Sequence, residues 1–313
     1  MAKILTLTLN PALDLTVRLE QLQPGHVHRS QGMLTHAAGK GVNVAQVLAD
    51  LGHHLTVSGF LGEDNQQAFT ELFARRGFVD AFIRVPGETR SNIKLAEADG
   101  RVTDLNGPGP QISLSAQQAL LDKLDHIAAS HDAVVVAGSL PRGVDPMWLR
   151  GLLLRLKSLG LKVILDTSGE ALKQGVSAGP WLIKPNTEEL TDALGSDISS
   201  LEAQAAAATR LQAQGVEHVV ISHGGEGVNW FSRAPALQAV PPKVNVASTV
   251  GAGDSLLAGM LHGLLSGHAP DQTLRTATAI AAMAVTQIGF GISDAAHLAT
   301  LERGVTVRPL TKE

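Results

Sequence analysis

The chain has 313 residues, of which 44% are hydrophobic and 17% are charged, and its formal net charge at pH 7 is −4. This composition is ordinary for a globular protein with a sizeable core, and the slight negative charge gives no support for nucleic acid or an anionic membrane as a partner. The absence of cysteine excludes disulfides, thiolate catalysis and cysteine-bound metals, and an aromatic content of 3% argues against a surface that stacks on bases.

The N-terminal segment "MAKILTLTLNPALD" has one lysine and a short alternating apolar run. It lacks the long apolar core and the small-residue cleavage site of a signal peptide. No uninterrupted apolar run reaches the roughly 18 residues of a membrane-spanning helix. We therefore expect a cytoplasmic protein that does not associate with membranes.

Strand-like and helix-like segments alternate along most of the chain. "DAVVVAG" at 132–138 is a near-continuous apolar run, which is typical of a strand buried on both faces. Apolar residues at positions 44, 47, 48 and 51 have helical spacing. The predicted elements are strand 3–10, helix 41–52, strand 54–62, helix 66–76, strand 81–85, strand 132–138, helix 146–160, strands 162–166 and 181–184, helices 186–195 and 201–215, strand 218–224, a hairpin of 227–232 and 236–240, and helices 254–266, 273–286 and 295–303. This alternation predicts an α/β fold with a mostly parallel sheet covered on both sides.

Three segments do not fit this repeat. Residues 14–20, 26–34 and 91–106 read as short alternating strands with turn signals between them. They come from two separate parts of the chain. They predict either hairpins that decorate the main sheet or a small second sheet that covers the active site as a lid.

Two basic motifs lie in the first third of the chain. In "AAGKGVNVA" (37–45), Lys40 stands just before a predicted helix, where the dipole slightly disfavours a cation unless an anion is shared with the helix. A simple turn explains this motif equally well. In "TRSNIK" (89–94), Arg90, Asn92 and Lys94 point to one face of a strand. Such a face suits a phosphate or a hydroxyl-rich ligand, although solvated charges are the commoner explanation.

Two further motifs follow predicted strands in the second half. In "IKPNTEEL" (183–190), Asn186 and Glu189 suit either water-mediated binding of Mg²⁺ or plain capping of the next helix. "SHGGEG" (222–227) suits either a hairpin turn or a flat floor for the phosphates or ring of a nucleotide. Each motif is weak when taken singly.

The segment "TVGAGDSLLAGMLHGLL" (249–265) places Asp254 at the N-terminus of a predicted apolar helix, after Gly251 and Gly253. Aspartate at a helix start is an ordinary cap. Backbone amides freed by glycines, however, form an anion pocket, and a carboxylate there needs a further purpose.

Other catalytic signatures are missing. The twelve histidines form no H-x-x-x-H pattern, His53 and His54 face different ways, and a zinc site is not expected. "GSLPRG" (138–143) is not the G-x-S-x-G elbow of hydrolases, and neither Walker A nor G-x-G-x-x-G is present.

Taken together and in this order, the motifs resemble those of the ribokinase-like carbohydrate kinase family over essentially the whole chain. "AAGKGVNVA" is similar to the N-terminal signature of the family, with Ala38 where a glycine is usual. "STVGAGDSLLAGML" resembles its C-terminal signature, which is highly specific. "NPALD", "TRSNIK", "GSLPRG" and "KPNTEEL" are similar to segments of the phosphosugar branch, and the chain most nearly resembles the bacterial 1-phosphofructokinases.

The resemblance implies a single domain over residues 1–313 with three α/β/α layers, a mostly parallel central sheet and a small β-sheet lid from about 14–36 and 90–106. It implies ATP-dependent phosphorylation of a sugar phosphate, first of all fructose 1-phosphate to fructose 1,6-bisphosphate. Tagatose-6-phosphate kinase and 6-phosphofructokinase activities stay open, since basic residues do not show which carbon carries the phosphate.

Roles for individual residues also follow from the resemblance. Asp254 would be the base that accepts the proton of the sugar hydroxyl, and the amides of Gly251, Ala252 and Gly253 would hold the transferring phosphoryl group. The residues expected to bind the sugar phosphate are Asp14, Gly39, Lys40, Asn43, Arg90, Asn92 and Lys94. The residues expected at the ATP site are Lys184, Asn186, Ser222, Gly224, Gly225 and Gly227, with Glu189 placing Mg²⁺. A monovalent cation such as K⁺ is expected near Val250, Ala284, Gly289 and Gly291.

The sequence also argues against two other classes of protein. A non-catalytic sugar-phosphate sensor on the same fold should have lost the base, the amide pocket or the Mg²⁺ carboxylate, and all three are present. A nicotinamide-dependent oxidoreductase lacks its phosphate fingerprint. The resemblance also implies a homodimer through the lid, which agrees with the need to cover exposed strand edges.

Overall fold

The computed structural model describes residues 1–310, and these form one large sheet and one small separate sheet with helices around the former. The strands are β1 Lys3–Thr8, β2 Ala12–Leu19, β3 Gly32–Ala38, β4 His54–Gly62, β5 Val79–Asp80, β6 Ile83–Val85, β7 Arg90–Glu97, β8 Val102–Asn106, β9 Ala133–Ala137, β10 Lys162–Asp166, β11 Leu182–Ile183, β12 His218–Ser222, β13 Val228–Phe231, β14 Leu237–Val240 and β15 Thr306–Pro309. The helices are α1 Lys40–Asp50, α2 Gln67–Arg76, α3 Leu114–Ile127, α4 Pro146–Ser158, α5 Gly169–Val176, α6 Thr187–Leu194, α7 Leu201–Ala213, α8 Ala252–Ser266, α9 Pro270–Ala284 and α10 Ala295–Gly304.

The large sheet has the strand order β5-β4-β1-β9-β10-β11-β12-β13-β14-β15, and β6 also pairs with β4. The pairs from β5 to β12 are parallel, and the last three strands continue the sheet antiparallel. The predicted hairpin of 227–232 and 236–240 is therefore confirmed as β13 and β14. The mostly parallel sheet predicted from the alternation of elements is also confirmed.

Each face of the large sheet buries its own apolar core. Along β9, Val135 packs with the apolar sides of α1, α8 and α9, while Val134 and Val136 pack with those of α4 and α5 on the other face. This alternation explains why the strand is apolar throughout, since both of its faces are covered. The three-layer α/β/α architecture follows.

The small sheet has the order β3-β2-β7-β8, and it confirms a second sheet built from two separate parts of the chain. The prediction of a strand over 26–34 is wrong in its first half. Residues 24–26 turn instead, with the His26 amide donating to the Gln23 carbonyl (3.2 Å), and the strand runs from Gly32 to Ala38. Met33 and Val102 on this sheet are 63% and 57% exposed.

Four elements were not expected from the sequence: α3, α5, β5 and β15. Helix α3 buries few apolar side chains, so its periodicity is weak, although Ser113 caps it by accepting from the Ala116 amide (3.2 Å). Helix α5 has eight residues and contains a buried glycine, Gly175, where a side chain would clash with Leu165. Short or polar elements of this kind are stabilised by their contacts with the rest of the fold more than by their own sequence.

Histidines meet at the far end of the sheet from the strand carboxyl termini. The buried His53 accepts from the Ala2 amide (3.1 Å), and its Nε2 lies 2.9 Å from Nδ1 of His262. Burial, and then the neighbouring His262, lowers the pKa of His53 to about 4, which favours a neutral pair. Within residues 1–310 no group of three or more acidic or histidine side chains is arranged to hold a metal ion. No helix in the same range has both the length and the apolar character needed to cross a membrane.

Candidate active site

Polar side chains gather at the carboxyl edge of the parallel strands, where ligands bind in open α/β sheets. Asp166 is the last residue of β10, and Lys184 directly follows β11. Lys40 opens α1 and Asp254 lies in the first turn of α8, so two helix N-termini reach the same edge. Lys40 and Lys184 both lie beside Asp166, and all three charges act on Asp254. Motifs that are far apart in the sequence therefore meet in one cluster.

Asp254 is a buried carboxylate, 6% exposed, with one hydrogen bond from a side chain. Its Oδ2 accepts from Nδ2 of Asn43 at 2.8 Å. Burial, and then the charge of Asp166, raises the pKa of Asp254 to about 6, against the opposing effects of Asn43, Lys40 and Lys184. The group is therefore ionised at pH 7 and is a better proton acceptor than an ordinary aspartate.

The N-terminus of α8 is open. Its cap is Gly251, with φ of 82°, and no side chain caps it, so Asp254 does not act as an ordinary cap. The first amide of the helical ladder is that of Ser255, which donates to the Gly251 carbonyl (2.9 Å), and the Ala252 amide reaches the Thr249 carbonyl only at 3.5 Å. Among residues 1–310, the amides of Gly251 and Gly253 have no acceptor. These amides are available to an anion.

Space is tight at both glycines, and most of all at Gly251. A Cβ on Gly251 would lie 2.6 Å from the ring of Phe290, and the positive φ of Gly251 further disfavours a side chain. A Cβ on Gly253 would lie 3.2 Å from Nζ of Lys184. The lysine ammonium thus lies directly over the first turn of the helix, and it adds positive charge to the amide pocket.

Asp166 is the site residue that the sequence reasoning missed. It is 1% exposed, and its Oδ1 lies 3.3 Å from Nζ of Lys40 and 3.6 Å from Nζ of Lys184. Its Oδ2 is buried and has no partner within residues 1–310. The available signal was an acid at the end of the buried strand "KVILD", at the edge where ligands bind. Burial alone would lower the pKa of Lys40, but Asp166, Asp254 and Glu189 outweigh it and raise that pKa.

Glu189 caps α6 with one carboxylate oxygen and leaves the other oxygen outside the capping box. One carboxylate oxygen, Oε2, accepts from the Asn186 amide (2.9 Å), and Oδ1 of Asn186 accepts from the Glu189 amide (2.7 Å), which forms a capping box on α6. The other oxygen, Oε1, faces Nζ of Lys40 at 3.9 Å. Together with the unpartnered Oδ2 of Asp166, it provides the oxygen ligands that suit a hydrated Mg²⁺.

The side chains expected to bind substrate from the small sheet divide into two groups. Asn92 donates to Oδ1 of Asp14 (3.1 Å), and Lys94 lies 3.4 Å from Oδ2, so both carboxylate oxygens of Asp14 are held. Arg90 instead donates to the carbonyl of Asn10 (3.2 Å), and its Nε is buried without a partner within residues 1–310. Of these three basic or amide side chains, Arg90 alone does not contact Asp14.

The loop "SHGGEG" is a hairpin turn between β12 and β13, and Gly224–Glu226 within it form one turn of 3₁₀ helix. The Ser222 amide donates to the Pro185 carbonyl (3.1 Å), which joins this loop to the segment that contains Lys184. A Cβ on Gly227 would clash with the Ala239 carbonyl, whereas Gly224 and Gly225 face open space. Gly224 and Gly225 therefore expose backbone between the side chains of His223 and Glu226.

The remaining expected residues lie in the first signature and near the ends of α8 and α9. A Cβ on Gly39 would lie 2.6 Å from Cγ2 of Thr8, so the first signature packs closely against the end of β1. Ala38, the departure from the usual signature, is buried as the last residue of β3 and keeps an ordinary backbone conformation. Four residues were expected near a monovalent cation. Val250 lies just before α8, Ala284 is the last residue of α9, and Gly289 and Gly291 follow α9.

A carboxylate beside an open helix N-terminus, with two lysines nearby, is an arrangement typical of enzymes that transfer phosphoryl groups. A family model described as pfkB family carbohydrate kinase matches residues 7–296. The 1-phosphofructokinase of Vibrio cholerae is 47% identical over 308 residues, which cover 98% of this chain and 97% of the relative. The 1-phosphofructokinase of Escherichia coli K12 is 44% identical and covers 98% of both chains.

Solved structures agree. The crystal structure of phosphofructokinase-2 from Escherichia coli in complex with potassium superposes with a TM-score of 0.89 at 27% identity, and the match covers 97% of this chain and 99% of that one. The chain belongs to the pfkB family of carbohydrate kinases. The family expected from the motifs is thereby confirmed.

Proposed function

We propose that this chain transfers the γ-phosphoryl group of ATP to the free terminal hydroxyl of fructose 1-phosphate, which gives fructose 1,6-bisphosphate and ADP. The observation that carries the proposal is the buried Asp254 beside amides that have no acceptor within residues 1–310. Two relatives named 1-phosphofructokinase, at 47% and 44% identity over nearly the full chain, support the choice of substrate.

The chemistry follows from the geometry. The sugar hydroxyl oxygen attacks the γ-phosphorus, the bond from that phosphorus to the β–γ bridging oxygen breaks, and ADP leaves with the electron pair. Asp254 takes the hydroxyl proton, and the amides of Gly251 and Gly253 stabilise charge on the equatorial oxygens. Lys184, which lies over this turn, balances charge on the phosphates.

Asp166 and Glu189 would hold Mg²⁺ through its waters, and the ion would supply positive charge that offsets the charge of the ATP phosphates. Their oxygens fit because Oδ2 of Asp166 is buried without a partner and Oε1 of Glu189 is not used by the capping box. Ser222, Gly224, Gly225 and Gly227 form the floor for ATP. The segments around Val250 and Gly289 are the proposed K⁺ site, supported by the potassium complex of the E. coli phosphofructokinase-2 structure.

The small sheet is proposed as a lid of the single domain 1–313 and as the contact of a homodimer. Its side chains Asp14, Arg90, Asn92 and Lys94 would face the sugar phosphate. The exposed apolar side chains of this sheet, such as Met33 and Val102, would be covered by a second copy.

A panel of substrates tests this function. ADP release, measured with fructose 1-phosphate, fructose 6-phosphate and tagatose 6-phosphate, is expected to give the highest kcat/KM for fructose 1-phosphate, by roughly 10²-fold, because a misplaced phosphate loses its charged hydrogen bonds. A higher kcat/KM for fructose 6-phosphate or tagatose 6-phosphate would instead identify the chain as a kinase of that sugar phosphate. Binding of a sugar phosphate without any ADP release would indicate the non-catalytic sensor.

A further inference from the structure

Asn10 lies where the large sheet passes into the small one. It follows β1, it precedes Pro11, and it is 7% exposed. The chain crosses between the two sheets near 9–11, 39, 89 and 107–109. Asn10 lies against Arg90, beside the crossing near 89, and against Gly109, in the crossing at 107–109. It also contacts Ser139, in the loop after β9.

Asn10 contacts the side chains of both Ser139 and Arg90. Its Nδ2 donates to Oγ of Ser139 (3.1 Å) and lies 3.4 Å from the carbonyl of Leu140, in the loop after β9. Its backbone carbonyl accepts from Nη2 of Arg90 (3.2 Å), the first residue of β7. One residue therefore links the position of Ser139 to that of Arg90.

The direction of the bond to Ser139 has a chemical consequence. Because the amide of Asn10 donates, the Ser139 oxygen is the acceptor, and its own hydroxyl proton is left to point elsewhere. Nε of Arg90 is also buried without a partner within residues 1–310. Burial lowers the pKa of Arg90, but a guanidinium stays charged in proteins. The Ser139 hydroxyl and the Arg90 guanidinium are thus two hydrogen-bond donors that contact the same residue, Asn10.

The surroundings hold Asn10 in this orientation. A Cβ on Gly109 would lie 2.7 Å from Oδ1 of Asn10, so the crossing at 107–109 closes directly over the side chain. The guanidinium of Arg142 fixes that crossing by donating to the Gly109 carbonyl at 2.8 and 3.1 Å. Asn10 has little room to turn its amide over.

We propose that Asn10 is a positioning residue for the phosphate of the substrate: its amide fixes Ser139 as a hydrogen-bond donor, and its carbonyl fixes Arg90. Asn10 acts through these two side chains and takes no part in phosphoryl transfer. The inference rests on the proposed function in that the anion is taken to be the phosphate of a sugar phosphate.

Kinetics of Asn10→Ala separate positioning from a structural role. The KM for the sugar phosphate is expected to rise about 10- to 100-fold, the value of a hydrogen bond to a charged group, while kcat and the KM for ATP stay within about threefold. The isosteric Asn10→Asp should raise this KM further, because its carboxylate accepts the Ser139 proton and adds negative charge. This variant also keeps the test informative if the alanine variant folds poorly.

A double-mutant cycle gives the sharper readout. In a Ser139→Ala background, Asn10→Ala should change the KM for the sugar phosphate by much less than it does in the wild type, because part of its effect passes through Ser139. Fully additive effects, or a fall in kcat at constant KM, would overturn the proposal.

Calorimetric binding of fructose 1-phosphate without nucleotide separates the proposed function from the role of Asn10. A wild type that binds the sugar phosphate but does not turn it over overturns the proposed function alone. A dissociation constant that Asn10→Ala and Asn10→Asp both leave unchanged overturns the role of Asn10.

Discussion

Replacement of Asp254 with asparagine is expected to lower kcat by about 10²- to 10⁴-fold, the usual contribution of a positioned base. Asparagine keeps the shape and the contact with Asn43 but cannot accept the proton of the sugar hydroxyl. The affinity for ATP is expected to stay within about threefold, because the amides of the α8 turn and Lys184 are unchanged. Coupled ADP release and equilibrium binding of ATP measure the two quantities.

The same variant should not lose stability. A carboxyl whose folded pKa is raised from 3.8 to about 6 stabilises the fold below pH 3.8, and that contribution is lost as the pH rises through 6. At pH 7.5 the neutral amide is therefore expected to give a Tm equal to or above that of the wild type. Asp271→Asn, in the first turn of the neighbouring α9, is the matched control and should leave kcat unchanged. Turnover by Asp254→Asn within tenfold of the wild type would refute its role as base.

Replacement of Asp166 with asparagine is the second large effect that we expect. The change removes the carboxylate shared by Lys40 and Lys184, and it removes the unpartnered Oδ2 that suits Mg²⁺. The Mg²⁺ concentration for half-maximal activity is expected to rise about 10- to 100-fold, with a comparable fall in kcat at saturating ATP. Titration of initial rates with Mg²⁺ at fixed ATP checks this.

Asp132→Asn provides the control for Asp166→Asn. Asp132 precedes the neighbouring strand β9 at its opposite end and accepts from the Lys3 amide (2.8 Å), so this variant also loses a carboxylate but far from the site. It should keep the Mg²⁺ dependence of the wild type. An Asp166→Asn enzyme with an unchanged Mg²⁺ requirement would show that Asp166 only balances the charge of the two lysines.

The fold was predictable where elements are long or apolar on both faces. The strand predicted over 54–62 is β4, and the helix predicted over 201–215 is α7 with two residues fewer. Helix α3 was not predicted because few of its residues are buried and one of these, Gln117, is polar. Strand β15 forms only because β14 offers an edge to pair with, and no local pattern carries that information.

The site was predictable in its motifs but less so in its contacts. Glycines before Asp254 indicated open amides, whereas the hydrogen bond from Asn43, 211 positions away, depends on how α1 and α8 pack. Asp166 was missed because one acid at a strand end has no distinctive spacing. The alternating Arg90, Asn92 and Lys94 share a face as expected, yet only the structure shows that Asn92 and Lys94 contact Asp14 while Arg90 contacts Asn10.

The pH dependence of kcat/KM tests the central claim, that Asp254 is the ionised base, most directly. We expect activity to fall below a pKa of about 6 in the wild type. The second ionisation of the substrate phosphate also lies near 6, so the decisive comparison is with Asp166→Asn. Because the charge of Asp166 raises the pKa of Asp254, the acid limb of this variant should move to lower pH. An acid limb at the same pH in both enzymes would assign it to the substrate and contradict the account.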